Sequence, residues 1–414
     1  MKAEIISIGT EITSGQNLDT NCQWLSRRLA ELGIAVAFHT TVADDLHDNL
    51  AAFRIAIGRA GLVIATGGLG PTLDDLTREA LAQVASVELE FHEDSWRHIQ
   101  QLFTRRNRAL PERNRVQAMF PVGAEVIPNP LGTAPGILMK IGTSTVVAMP
   151  GVPSEMFAMF DNEIKPRLIA MGFGGEVIVQ RKINTFGAGE SAIEEKVSDL
   201  TRRGHVPEVG ITASDATISL RIFARAPTIS EAEAVCAPIE KIIRERLGNL
   251  VFGVEDEELQ NAVARLLTEK RQTIAVAESM TAGLVCNRLA QIPGASGWLR
   301  GGVVCYGSRV KIEVLGVPES MIQEHGAVSA PVAERLAAAV RSVLRSDVGL
   351  SVVGFAGPDA GGPNQPIGTT FVGLAWAGGS KTIHFNWNGT RTEIQSRAAK
   401  MALNAVRLHL LGTT

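Results

Sequence analysis

The last third of the chain holds three residue types that together could perform acyl transfer. Ser279 follows the apolar run QTIAVAE (272–278) and precedes Met280-Thr281-Ala282-Gly283 and the helix-like LVCNRLAQI. A serine at a strand-to-helix turn stands beside backbone N–H groups that lack helical partners, and these can hold a phosphate or the oxyanion of an attacked carbonyl. Serine is equally a favoured helix N-cap, so position alone leaves both readings open. Lys311 comes 32 residues later, in GGVVCYGSRVKIEVLGV (301–317), and Tyr306, the single tyrosine of the chain, ends the strand-like part of that segment. A serine becomes a nucleophile only when a base removes its proton, and a partly buried lysine of lowered pKa can do this without histidine. Tyr306 would then relay the proton or hold the lysine. The plain alternatives are a solvated lysine and a core tyrosine. A third segment, GFAGPDAGGPNQPIGTT (354–370), carries Gly357, Gly361 and Gly362 among five glycines and three prolines. Such a loop is either a close backbone approach to a ligand or a long surface turn.

A second constellation lies near the N-terminus, where LVIATGG runs into Gly67-Gly68-Leu69-Gly70-Pro71-Thr72-Leu73-Asp74-Asp75-Leu76-Thr77. The glycine amides could cradle a phosphate and the carboxylates a hard cation. Asp19 and Asp74 are also placed where they could simply cap helices.

The elements that must position these residues are readable from periodicity. Short apolar runs at 3–9, 35–42 and 61–68 alternate with helical patterns at 20–33 and 46–60, which predicts βαβ units and a largely parallel sheet with its site at the strand C-termini. This segment continues to Gly172. From Glu176 the pattern becomes a small α+β unit: a strand at 177–186, a helix at 191–203, a hairpin-like pair over 210–226, and a helix opened by a Thr228/Glu231 capping box that Pro238 should kink or split. The last segment has helices at 256–270, 330–344 and 392–411, the latter two capped by Ser329 and Thr390, and strands at 272–278, 351–357, 369–377 and 381–387. Three domains are expected, over 1–172, 173–254 and 255–414, as the 414-residue length also suggests.

Composition narrows the function classes. With 45% hydrophobic and 20% charged residues the chain can bury substantial cores. A net charge of -3 supplies no long-range attraction to nucleic acid or anionic membranes. Four scattered cysteines form no C-x-x-C pair, and neither a signal-peptide h-region nor an apolar stretch of about 18 residues is visible. A cytoplasmic protein without membrane or nucleic-acid partners is expected.

The motifs A-E-S-M-T-A-G, G-G-V-V-C-Y-G-S-R-V-K-x-x-x-L-G-V, H-G-A-V-S and G-x-A-G-P-x-x-G-G-P-x-x-P-I-G-T, in this order, resemble the nicotinamide-nucleotide amidohydrolase domain of the competence/damage-inducible protein A (CinA) family. The resemblance implies catalytic roles for Ser279, Tyr306 and Lys311, hydrolysis of the carboxamide of nicotinamide mononucleotide to nicotinate mononucleotide and ammonia, and no cofactor for that step. Met280, Thr281, Gly283, Gly357, Gly361, Gly362 and Arg391 become candidates for substrate binding, Arg391 through its bidentate fork to phosphate. The chain departs from the family pattern at Met280 and Ala282, where E-S-C-T-G-G is the common form, at Asp359 in place of glycine, and at Gln395 in place of arginine. Ala282 and Asp359 would narrow the pocket or repel a phosphate.

The earlier motifs I-G-T-E-I-T-S-G-x-x-x-D-T-N and G-G-x-G-P-T-x-D-D-x-T resemble the molybdopterin-binding-like domain that opens CinA proteins. That likeness implies a three-layer α/β/α domain with nucleotide-binding Gly67, Gly68, Gly70, Thr72, Asn114, Gly132, Thr133 and Gly151. It also implies Glu11, Asp19, Asn21, Asp74 and Asp75 as ligands of a divalent cation such as Mg²⁺, with ADP-ribose pyrophosphatase as a second activity. The middle segment resembles the family's KH-like insert, but its G-A-G-E loop is acidic, which argues against RNA. The family likeness further implies an α/β amidohydrolase fold for the last domain and a homo-oligomer, a dimer, binding small nucleotides. A non-catalytic nucleotide- or molybdopterin-binding protein with a regulatory or competence-related role is the reading from another class.

Overall fold

The computed structural model describes residues 2–360 and 365–413. The chain forms two compact units, Met1–Val179 with Ala224–Val235, and Gln180–Phe223 with Cys236–Thr414. Among the described residues no helix is long and apolar enough to cross a membrane.

In the first unit the strand Lys2–Ile8 lies between Ala35–Val42 and Leu62–Thr66, all parallel; Ser144–Met149 adds a further parallel strand, and Gly136–Ile141 and Glu125–Ile127 close the sheet antiparallel. Alternate side chains of the central strands enter two cores. Ile5, Leu62 and Ile64 meet Leu25 and Leu29 of the helix Thr20–Glu31. Ile6, Val63 and Ala65 meet Phe53 and Ala56 of the helix Leu46–Arg59. Burial on both faces is why these strands read as unbroken apolar runs. The helix Glu93–Arg105, whose buried Ser95, Ile99 and Leu102 recur at helical spacing, and the antiparallel pair Leu89–Phe91 with Met119–Pro121 were not among the expected elements.

A four-stranded sheet, most of whose residues belong to the second unit, has the order Glu208–Ser214, Thr217–Ala226, Val177–Phe186, Val251–Val254. The first two strands form a hairpin with Ser214 opposite Thr217. Its two-residue connection, Asp215-Ala216, has both residues at positive φ, 46° and 61°, a conformation whose twist matches that of the flanking strands. The Thr228/Glu231 capping box is present. Pro238 does not split the following helix, which runs unbroken over Ile229–Leu247.

The C-terminal sheet of that unit has the order Leu299–Val304, Ile274–Glu278, Val348–Gly354, Thr369–Trp376, Gly379–Asn386, with the first three strands parallel and the last two antiparallel. The helices Leu259–Lys270 and Arg391–Leu411 cover one face through Val263, Leu267, Leu403 and Val406. The helix Ala330–Val343 covers the other through Leu336 and Val340. Thr390 caps its helix in a full capping box with Glu393. Ser329 does not cap by its side chain: its hydroxyl donates backwards to the Gly326 carbonyl at 3.0 Å.

Candidate active site

The central strand Ile274–Glu278 is flanked on both sides by parallel neighbours, so its C-terminal end opens in the middle of the sheet edge, where parallel sheets place ligands. Ser279 sits there, and its side chain does not cap the next helix, Leu284–Ala290, whose N-cap is Gly283 at φ 101°. The preceding residue, Glu278, does the capping instead. Its buried carboxylate accepts the amides of Gly283 and Val285 at 3.0 Å each and of Cys286 at 2.8 Å. Among the described residues this leaves the Met280 and Thr281 N–H groups without partners. Of the four amides from Met280 to Gly283, that of Ala282 donates to the Ser279 carbonyl at 3.1 Å and that of Gly283 to Glu278, so two are left as oxyanion donors.

Lys311, on the short helix Ser308–Glu313, is 2% exposed and points at the same turn. Its Nζ lies 3.2 Å from Ser279 Oγ, 2.6 Å from the Cys305 carbonyl and 3.2 Å from the Tyr306 carbonyl. No carboxylate pairs with it among the described residues, and burial pushes its pKa below the ordinary lysine value of 10.5. An uncharged amine at this position would donate to the two carbonyls and keep its lone pair for the serine hydroxyl. The plain reading of Lys311 as a solvated helix residue is thereby excluded.

Tyr306 departs from expectation. It holds the lysine through its backbone carbonyl, while its half-exposed side chain turns away and its Oη accepts from Arg391 Nη2 at 2.7 Å. No hydrogen bond links Tyr306 Oη to Ser279 or Lys311, so a proton relay through the phenol is not the arrangement seen. Arg391 also donates through Nη1 to the Gly357 carbonyl, tying the glycine-rich loop to the strand end carrying Tyr306. The Met280 side chain is buried in the core beside Thr370, whose Oγ1 lies 3.7 Å from its Sδ, so Met280 can meet a ligand only through its backbone. Thr281 is buried with its Oγ1 unpartnered. Gly361 and Gly362 lie outside the described residues.

The N-terminal loop is built differently. Gly67 and Gly68 have φ of 105° and 64°, and a Cβ on either would collide with the Ile8 carbonyl or Thr77 Oγ1. The Gly67 amide bonds to the Met149 carbonyl at 3.0 Å. Asp75 accepts from the amides of Gly70 at 2.7 Å and Thr72 at 2.8 Å and from the Thr72 hydroxyl. The Gly132 amide is taken by Asn129 Oδ1 at 2.9 Å. Three of the glycine amides expected to cradle phosphate are thus satisfied within the protein. Asn21 bonds both Thr66 Oγ1, at 3.2 Å, and the Gly151 carbonyl, at 2.8 Å, bringing 21, 66, 67 and 151 together. Asn114 reaches the loop only through Gln117, which it contacts at 2.8 Å. Thr133 is half-buried without a side-chain hydrogen bond among the described residues.

The acids expected to hold a cation do not converge in this structure. Asp19 caps the helix Thr20–Glu31 by accepting Cys22 N at 2.9 Å, and Glu11 and Asp74 are exposed. Asp74 does not cap the next helix, whose N-cap is Leu76. Among the described residues no three of Glu11, Asp19, Asp74 and Asp75 bring ligand atoms together; the one such trio of His, Cys, Asp or Glu is the exposed Asp45, His47 and Asp48. The acids of this loop do not fit a metal cage.

Three family models match the chain: "Probable molybdopterin binding domain" over residues 4–170, "Damage-inducible protein CinA KH domain" over 180–253 and "CinA C-terminal domain" over 256–410. A CinA-like protein of Dictyoglomus thermophilum is 41% identical over 411 residues, spanning 99% of this chain and 100% of that one. The chain belongs to the CinA family. A CinA-like protein of Frankia casuarinae is 42% identical over 421 residues, covering 100% of this chain and 97% of its own. The solved structure of the protein CinA from Thermoplasma acidophilum aligns with 40% of this chain and 98% of its own at 34% identity and a TM-score of 0.38. CinA membership fixes the order of a molybdopterin-binding-like domain, a KH domain and a CinA domain in this mixed α/β chain.

Within that CinA frame, three residues that residue-type reasoning passed over organise the two loops. Glu278 sets the elbow. Gln395, noted only as a departure, donates from Nε2 to the Met280 carbonyl at 2.7 Å. Arg78 is fully buried beneath the N-terminal loop and donates to the carbonyls of Leu69 and, at 3.2 Å, Gly70; burial lowers its pKa to about 10. Charged residues directly flanking a glycine-rich or serine turn were the available signal.

Proposed function

We propose that this CinA protein hydrolyses the carboxamide of nicotinamide mononucleotide in the cytoplasm, as its family likeness implies, with Ser279 as nucleophile and Lys311 as base. The observation that carries the reading is the 3.2 Å contact between Ser279 Oγ and the Nζ of a buried lysine that has no carboxylate partner among the described residues. Neutral Lys311 takes the Ser279 proton as Oγ attacks the carboxamide carbon. The developing oxyanion meets the two unpartnered amides of Met280 and Thr281. The lysine then returns the proton to the departing nitrogen, which leaves as ammonia, and water hydrolyses the nicotinoyl ester with the same lysine as base. Arg391, bonded to Tyr306 Oη and the Gly357 carbonyl, keeps further donors for a nucleotide phosphate.

The test is ammonia release from nicotinamide mononucleotide by the wild type and by Ser279→Ala. Release by the wild type and its loss in the variant, with nucleotide binding kept, supports the enzyme. Absence of release from the wild type supports the binding-protein alternative.

A further inference from the structure

We propose that Asp215, at the tip of the KH-domain hairpin, is a positioning residue for the Ser279 turn, acting through the helix Arg391–Leu411. The proposal takes the reading of Ser279 as nucleophile as its basis.

Asp215 Oδ2 accepts from Ser396 Oγ at 2.6 Å and lies 3.2 Å from Lys400 Nζ, while its Oδ1 stands 3.8 Å from Arg397 Nε. Lys400 also donates to the Asp215 carbonyl at 3.2 Å and to Thr217 Oγ1 at 3.0 Å. Its side chain is 9% exposed, and the other nearby carboxylate, Glu258, is farther, at 3.7 Å. One hairpin tip therefore grips two successive turns of the C-terminal helix. The grip is stiff because Asp215 and Ala216 occupy a two-residue turn and Ala216 packs against the apolar cluster of the C-terminal sheet.

Ser396 passes the contact on. Arg288 donates to its hydroxyl at 2.7 Å and to its carbonyl at 3.1 Å, and Arg288 belongs to the helix Leu284–Ala290 that leaves the Ser279 turn. Ser396 is also the neighbour of Gln395, whose amide holds the Met280 carbonyl. In a trans peptide the carbonyl and the next N–H point in opposite directions. Holding the Met280 carbonyl therefore aims the Thr281 N–H, one of the two free amides at the nucleophile. A shift of the helix by a fraction of an ångström would turn that peptide, and displacements near 1 Å can cost about 100-fold in rate.

The experiment compares full-length Asp215→Ala and Asp215→Asn with the wild type by hydrogen–deuterium exchange and by steady-state deamidation of nicotinamide mononucleotide. In Asp215→Ala, exchange in the segment holding residues 279–286 should speed about tenfold while the strand Thr369–Trp376 keeps its protection. Turnover should fall about tenfold with KM changed less than about twofold. Asp215→Asn keeps an acceptor for Ser396 and should recover most of both. A double variant with Gln395→Ala should be no slower than Gln395→Ala alone, because the two act along one path. Unchanged exchange at 279–286, exchange raised throughout the unit, or additive losses would overturn the proposal. If Asp215→Ala does not fold, Ser396→Ala, which removes the hydroxyl joining Asp215 to Arg288, decides by the same exchange readout and the same outcomes. Wild-type protein that releases no ammonia would sink the proposed reaction, while exchange would still decide the positioning role.

Discussion

The turn after Glu278 and the loop after Thr66 start alike: each leaves the C-terminal end of a buried parallel strand, each is rich in small residues, and each leads into a helix. They differ in which amides their own carboxylate takes. Glu278 precedes the serine and reaches forward to the helix amides of 283, 285 and 286, which empties the turn at 280 and 281 of competing acceptors. Asp75 follows its glycines and reaches back to the amides of Gly70 and Thr72, two donors of the loop it belongs to. A glycine-rich strand end is thus not a binding site by composition. What decides is whether the loop's own acid leaves donors unclaimed, and whether a second group, here Lys311, faces them.

The sharpest way to break this contrast is to remove that second group. Lys311→Met and Ser279→Ala should each lower deamidation by about 10⁴-fold or more, since removing either half of a nucleophile–base pair costs nearly as much as removing both. The double variant should be no worse than either single one. Activity surviving in Lys311→Met would mean that some other group takes the serine proton.

Next in size is the exchange of carboxylates for amides at the two loops. Glu278→Gln puts an NH2 group among backbone N–H donors in a buried site, so we expect a loss of about 2 kcal/mol or more in stability and roughly 100-fold in turnover. Asp75→Asn, half-buried in its loop, should cost about 1 kcal/mol, as a lost helix cap does, and leave ammonia release unchanged. Urea unfolding and the ammonia assay on both variants make the check; equal effects on deamidation would erase the distinction drawn between the loops.

The pH dependence follows from the burial of Lys311. The neutral amine is the active form, so turnover should rise about tenfold per pH unit and then level at the lowered pKa of Lys311, below the 10.5 of ordinary lysine. The sign of the stability effect is fixed too. Between the lowered folded value and 10.5 the unfolded chain holds a proton that the folded chain has released, so stability rises with pH across that window, and the cost is fully present below it. Melting temperatures of wild type and Lys311→Met, followed against pH, should converge as the pH rises.

Much of this was legible before any coordinates. The strands at 35–42 and 177–186 fall where alternation and β-branched runs put them, and Ser279 and Lys311 lie within hydrogen-bond distance of each other. What could not be read was the partner of each polar atom. The Tyr306 phenol faces Arg391 because the strand end turns its carbonyl, not its ring, toward Lys311. The acids near Asp75 look like a cation site in one dimension, yet Asp19 is spent on a helix cap and Asp75 on its own loop. Both choices depend on backbone amides whose positions only the fold defines. The roles of Glu278 and Gln395 could not be read for the same reason, since their partners are backbone groups of the turn they support.

The smallest expected effect tests how finely the Ser279 turn is tuned. Ala282 has φ of 50°, a left-handed conformation that costs an alanine about 1 kcal/mol or more and glycine almost nothing. Glycine also loses more freedom on folding, which offsets part of that gain. Ala282→Gly should therefore stabilise the protein by less than about 1 kcal/mol, seen as a melting-temperature rise of a few degrees at most. Because Glu278 holds Gly283, Val285 and Cys286 whatever stands at 282, the turn should keep its shape and turnover should change less than about threefold. A large fall in turnover would show instead that the alanine methyl group is needed to fix the Met280–Thr281 peptide, and that Glu278 and Gln395 do not suffice to do so.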